Sequence, residues 1–167
     1  MIEKIQTLIT NEDFPALYEI ADDDSLDLDS KQELHQMLVD LATEKVHEKI
    51  ADKCLLDFDD KSEQFVLRVL YENAIGAFEA GESYESQEAF ALLASVSNSK
   101  FFQKALRKHL LALLRGVSFE TFIQEWIASE APKHFFVSSF SKEVEKMFVQ
   151  EEADLSKQTQ RYTKLFR

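Results

Sequence analysis

The chain has 167 residues, 45% of them hydrophobic and 30% charged, with 3 glycines, 2 prolines, 1 cysteine and a net charge of −12. It is long enough for one domain with a sizeable core, and the shortage of Gly and Pro, on which tight turns depend, favours an all-α fold over a strand-and-turn one. The acidity argues against nucleic-acid binding, because phosphate is repelled; the lone Cys54 provides no intramolecular disulfide and fits a reducing cytoplasm; and no apolar run approaches the roughly 20 residues that span a bilayer.

The first segment, "MIEKIQTLITNEDF", places acids close to its apolar residues and so does not read as a signal peptide. Ile2, Ile5, Leu8 and Ile9 predict a short helix stopped near Asn11. A second helix follows Asp13 as cap, with Pro15 tolerated in its first turn and Leu17, Tyr18 and Ile20 on its apolar side. The third is expected from about Ser30 to Lys53, and the fourth from about Asp60 to Ala80, stopping at Gly81. A fifth runs from near Ser86 to Ser97, and a sixth, "KFFQKALRKHLLALLR", closes at Gly116. A seventh starts at Ser118 and ends before Pro132. The last begins around Pro132, with an interruption near Ser138–Ser141, and continues almost to the C-terminus. Seven to eight helices with short links predict a single-domain irregular or orthogonal bundle over residues 1–150, with residues 151–167 as a polar helical arm.

The chain writes nearly the same eight letters twice, "LDLDSKQE" at 26–33 and "LDFDDKSE" at 56–63. Ser30-x-x-Glu33 and Asp60-x-x-Glu63 both fit a capping box, in which the cap side chain accepts from an orphan amide and Glu reaches back to the cap N–H. The flanking aspartates suit the positive end of the helix dipole. Beyond the boxes the similarity vanishes, so the pair reads as two helix starts rather than a structural repeat. A calcium loop fits poorly. Counted from Asp22, Asp24 and Glu33 fall on ligand positions, but Asp27 stands where the sharp turn needs Gly.

Chemistry-bearing patterns are few. Glu44-x-x-His47 has the spacing of a di-iron ligand pair, but both residues fall towards the polar side of the third helix and no second Glu-x-x-His exists. His35, His109 and His134 have no Cys or second His at ligand spacing. There is no nucleophile elbow, P-loop or dinucleotide fingerprint. No catalytic residue, metal ligand or cofactor is assigned.

Two features point to a partner. On the sixth helix Lys100, Lys104, Arg107, Lys108 and Arg115 share about 100° of arc, with Leu111 among them. Residues 1–98 hold 7 Lys+Arg against 23 Asp+Glu, a balance of −16, while residues 99–167 hold 12 against 8, a balance of +4. The basic stripe therefore either meets a partner or answers the chain's own acidic half. At the C-terminus a nearly apolar-free stretch, 150–161, leads to Tyr162, Leu165 and Phe166 at i, i+3, i+4, a hook suited to docking on another chain. Exchange of such arms between two copies would make a homodimer. The expected function is a non-catalytic, cytoplasmic helical protein that binds another protein, as adaptor, regulator or chaperone-like factor. The rival readings are a metal-dependent enzyme built in a helical bundle and an acidic mimic of nucleic acid.

Overall fold

The computed structural model describes residues 2–11, 13–21, 23, 26–128 and 134–163. Eight helices are found among them: α1 (Ile2–Thr10), α2 (Phe14–Ala21), α3 (Leu28–Ala51), α4 (Lys61–Glu79), α5 (Ser83–Val96), α6 (Lys100–Leu114), α7 (Phe119–Thr121) and α8 (Lys142–Thr163). A π-helical turn, Phe122–Trp126, continues α7. No strand is present among the described residues, and the fold is the all-α multi-helix bundle expected from composition. No helix is long and apolar enough to cross a membrane.

Local chemistry explains most helix ends. Asp13 accepts from the Ala16 amide at 3.2 Å and starts α2 with Pro15 in its first turn. Asp60, Ser99 and Ser118 cap α4, α6 and α7 through the amides of Glu63, Phe102 and Thr121. Two C-termini close as paired 6→1 and 5→2 bonds around a left-handed glycine. Glu82 N–H reaches Ala77 O and Gly81 N–H reaches Phe78 O after α4, with Gly81 at φ +80°; Val117 and Gly116 repeat the pattern after α6. The third helix ends the same way with Lys53 in the left-handed position, at φ 55°.

Sequential helices stack. α2 lies on α3 and α4, α3 on α4, α4 on α5, and α5 on both α6 and α8, which also touch each other. The centre is α5 and α6. Phe90, Ala91, Leu93, Ala94 and Val96 from one meet Phe102, Leu106, Leu110 and Leu111 from the other, all buried. Leu34, Leu38, Ala42 and Val46 recur every fourth residue along α3 and turn one stripe inward.

Three expected boundaries differ, each for a physical reason. The cap of α3 is Asp27, not Ser30: Asp27 Oδ1 accepts the Ser30 amide at 2.9 Å, so Ser30 sits inside the first turn. The fifth helix starts at Ser83 rather than near Ser86, because Ser86 is buried with its hydroxyl donating to Ala74 O at 2.9 Å. The seventh helix stops at Trp126, well short of Pro132. Ile127 turns extended and bridges to Phe140, with Ala128 N–H donating to Ser139 O and Ser141 N–H to Trp126 O. The last helix accordingly begins at Lys142, and residues 134–140 are non-helical chain whose Phe136 and Phe140 enter the core.

Candidate docking surface

The basic stripe of α6 does not face solvent as a unit. Lys108 is only 5% exposed; its Nζ pairs with Glu145 and lies 4.8 Å from the Phe140 ring and 5.3 Å from the Phe148 ring. Arg115 pairs with Glu151, and Lys104 lies over Phe148 at 5.7 Å. Leu111 is buried. Arg107 is half-buried, with its Nε enclosed and without a hydrogen-bond partner, while Lys100 is exposed at the start of the helix. Lys104, Lys108 and Arg115 thus lie along α8, and the acids that pair with Lys108 and Arg115 come from that helix rather than from the acidic first half.

The C-terminal segment lies on the bundle as far as it is described. Leu155 and Thr159 are buried, and buried Ser95 donates its hydroxyl to Thr159 O at 3.0 Å. Of the hook, the side chain of Tyr162 and the whole of Leu165 and Phe166 lie outside the described residues.

A different surface comes into view around residues 134–137, the run "HFFV". Its support is a buried polar chain. His109 Nδ1 is 2.8 Å from Ala105 O; a carbonyl only accepts, so Nδ1 carries the proton and Nε2 is the acceptor. Tyr71 donates its hydroxyl to that Nε2 at 2.9 Å and accepts the Val137 amide at 3.0 Å. The 134–137 segment is therefore tied by its backbone to the middle of α4 and α6. Complete burial pushes His109 down to about 4, so it stays neutral in this role, and burial raises Tyr71.

Around this tie the rings form one connected group. Phe102 and Phe136 meet edge to face at 4.8 Å, and Phe136 also meets Phe135 at 5.2 Å and His134 at 5.2 Å. Phe58 stacks on Phe135 at 6.0 Å. Phe102 and Phe136 are buried, but Phe101, which packs on His134 and Phe136, is 51% exposed; beside the group, the aliphatic Ile123 on the π turn is 47% exposed.

Clefts open on both sides of the segment. One, of about 250 Å³, is walled by Phe58, Phe65, Phe135 and His134 with Gln64 and Arg68. The other, of about 320 Å³, is almost wholly apolar; its walls include Ile75, Phe119, Ile123, Phe135 and Val137, with Glu72 at its edge. Glu72 is already engaged, accepting from Tyr18 Oη at 2.6 and 2.8 Å and from Arg68 Nε at 2.9 Å. Burial and the hydrogen bond to Glu72 push Tyr18 up to about 12, which keeps it a donor.

Sequence patterning does not give this surface, because it expects residues 133–137 in the first turns of the last helix, ahead of the interruption near Ser138–Ser141. The available signal was the absence of any 3.6-residue period through "KHFFVSSF", together with its β-branched, aromatic and serine content. Among the described residues no three His, Cys, Asp or Glu converge as a metal-holding group; Asp22 and Asp24 lie outside them. Comparison with known protein families, with curated proteins and with solved structures finds no match to this chain.

Proposed function

We propose that this chain is a non-catalytic, cytoplasmic protein-binding module, an adaptor, regulator or chaperone-like factor, and that its docking surface is the aromatic face around residues 134–137 rather than the basic stripe of α6. The observation that carries this reading is the pair of clefts flanking one backbone-anchored segment, with Phe101 and Ile123 half in solvent beside them. Large apolar side chains on a rigid frame lose little entropy when covered, which suits them as anchors of an interface. The basic stripe is less suited, since Lys108 and Leu111 are inside and Arg115 is paired.

The test is the double substitution Phe101→Ser with Ile123→Ser. Both residues are about half exposed, so the melting temperature should hold within a few degrees while capture of the partner from native extract is lost. Capture that survives a folded double variant would remove this face as the docking surface. Lys104→Glu, on the α8 side, should leave capture unchanged.

A further inference from the structure

The two clefts beside residues 134–137 differ in chemistry. The apolar one has Glu72 at its edge, whereas no carboxylate lines the smaller one, in a chain that holds 31 Asp and Glu. The lining of the smaller cleft is three rings, Phe58, Phe65 and Phe135, and three polar side chains, Gln64, Arg68 and His134. These walls are braced from behind. Phe58 is fixed through its amide to Asn98 Oδ1 and stacks on Phe135; Phe65 meets Tyr18 edge to face at 5.6 Å; His134 stacks on Phe136. Arg68 is held on two sides. Its Nε donates to Glu72, its guanidinium lies 4.1 Å from the centre of the Tyr18 ring, and the Tyr18 hydroxyl donates to the same Glu72. That pairing uses Nε alone. Among the described residues Nη1 and Nη2 have no hydrogen-bond partner, so the outer edge of the fork is unengaged on a side chain that is already ordered.

From this we infer a binding site in the smaller cleft for a small aromatic carboxylate, its ring among Phe58, Phe65 and Phe135 and its two oxygens on the Nη pair of Arg68. The inference goes beyond the docking reading and does not depend on it, since neither Phe101 nor Ile123 lines this cleft. Three rings supply a flat ligand with face and edge contacts. A guanidinium edge matches a carboxylate in two parallel charge-assisted bonds, which a neutral acceptor only partly reproduces. The charge of Arg68 is already balanced by Glu72, so one further carboxylate fits better than a phosphate of higher charge; an ammonium ligand would find no anion in the lining. A volume of about 250 Å³ lies below the usual range of ligand pockets and admits one ring with a short acid rather than a large cofactor. Because Arg68 is ordered before the ligand arrives, little side-chain entropy is lost on binding.

The experiment titrates the full chain with phenylacetate and with phenylacetamide, which share ring and linker and differ in the acid. Calorimetry should show saturable binding of the acid, with the amide about tenfold weaker or more. NMR shifts caused by the acid should centre on Phe58, Arg68 and His134. Arg68→Lys keeps the charge but loses the fork, and should lower affinity about tenfold. His134→Ala, at an exposed position, should keep the melting temperature and lower affinity a few-fold, which preserves the test if Arg68→Lys disturbs the packing on Tyr18. Equal affinity for acid and amide would overturn the carboxylate assignment. Absence of saturable phenylacetate binding, or binding unchanged by both substitutions with shifts elsewhere on the surface, would overturn the site. Failure of the docking reading would show separately, in partner capture by the Phe101/Ile123 double variant.

Discussion

"LDLDSKQE" and "LDFDDKSE" share five of eight letters, yet the molecule starts its helices at different places in them. In the first, Asp27 is the cap and α3 begins at Leu28. In the second, the matching Asp57 lies in a loop, and the helix waits until Asp60. The difference comes from what holds the two apolar letters, the first and third of each copy. Leu28 is 70% exposed and nothing fixes it, so the chain turns helical at the first carboxylate that can cap. Leu56 is fully buried; its N–H donates to Val96 O at 2.7 Å, and its carbonyl accepts from Asn98 N–H at 3.0 Å. Phe58 donates its N–H to Asn98 Oδ1 at 2.9 Å and joins the aromatic group beneath the docking surface. With Leu56 pinned to Val96 and Asn98, and Phe58 to Asn98, this stretch cannot enter a helix, so the same local signal is read three residues later. Glu63 then accepts the Asp57 amide at 2.6 Å rather than that of the cap, which leaves the expected reciprocal box half made.

The largest effect separating the two copies should come from these pins. Leu56→Ala removes a fully buried side chain and should cost about 2–5 kcal/mol in urea denaturation. Leu28→Ala, on the exposed side of α3, should stay within about 0.5 kcal/mol. Similar losses from both would show that Leu56 is not what distinguishes the second copy.

Asn98→Ala comes next. It removes the acceptor of the Phe58 amide and the donor to Asp57 Oδ1 at 2.9 Å, and should cost about 1 kcal/mol. Amide exchange at residues 57–60 should accelerate while that at 27–30 is unchanged. Protection unaltered in both segments would mean that the loop is held by side-chain packing alone.

Cap deletions sharpen the register difference. Asp60→Ala should lower stability by about 1 kcal/mol, within the usual range for a lost cap. Ser30→Ala, at the corresponding letter, should cost less than about 0.5 kcal/mol, because Ser30 lies inside the first turn of α3 and caps nothing. Asp27→Ala should lower the melting temperature more than Ser30→Ala does; the reverse order would restore Ser30 as the cap.

The smallest effect is the acid titration of the two matching aspartates. Both carboxyls are held below the usual range, Asp27 chiefly by the Ser30 amide and hydroxyl, Asp57 chiefly by the Asn98 side chain. A carboxyl depressed in the folded state stabilises it above the ordinary carboxylate pKa of about 3.9, and that contribution is lost as pH falls through the folded value. Melting curves from pH 5 downwards should therefore fall less steeply for Asp27→Asn with Asp57→Asn than for the unmodified chain. Within that range, Asn98→Ala should flatten the share belonging to Asp57 alone. His109 acts over a higher window: its folded pKa of about 4 makes stability decline as pH drops from about 6.5, in all of these variants alike.

The helices that the sequence announces most clearly are those whose signals are local. Asp13 with Pro15, Asp60, Ser99 and the glycines at 81 and 116 act through bonds within one turn, so each could be placed from a few neighbouring letters. The same holds for the all-α class, which follows from a lack of turn formers and from apolar residues at helical spacing. The basic stripe of α6 was legible as a row of residues but not as a role. A helical wheel gives a direction on one cylinder and says nothing of which cylinder lies opposite, here α8 with Glu145, Phe148 and Glu151.

What tertiary structure alone decided is set by contacts between residues far apart in the chain. Asn98 acts across 40 residues on Phe58, and Tyr71 across 66 on Val137, where it ties the non-helical "HFFV" to α4 with Phe101 and Ile123 half exposed beside it. No window of local sequence carries those pairings, because each costs chain entropy that only the assembled core, built on α5 and α6, offsets. The helices and their local caps were determined by neighbours in sequence; the departures at residues 56–58 and 127–140, and the surface left between the helices, were determined by neighbours in space.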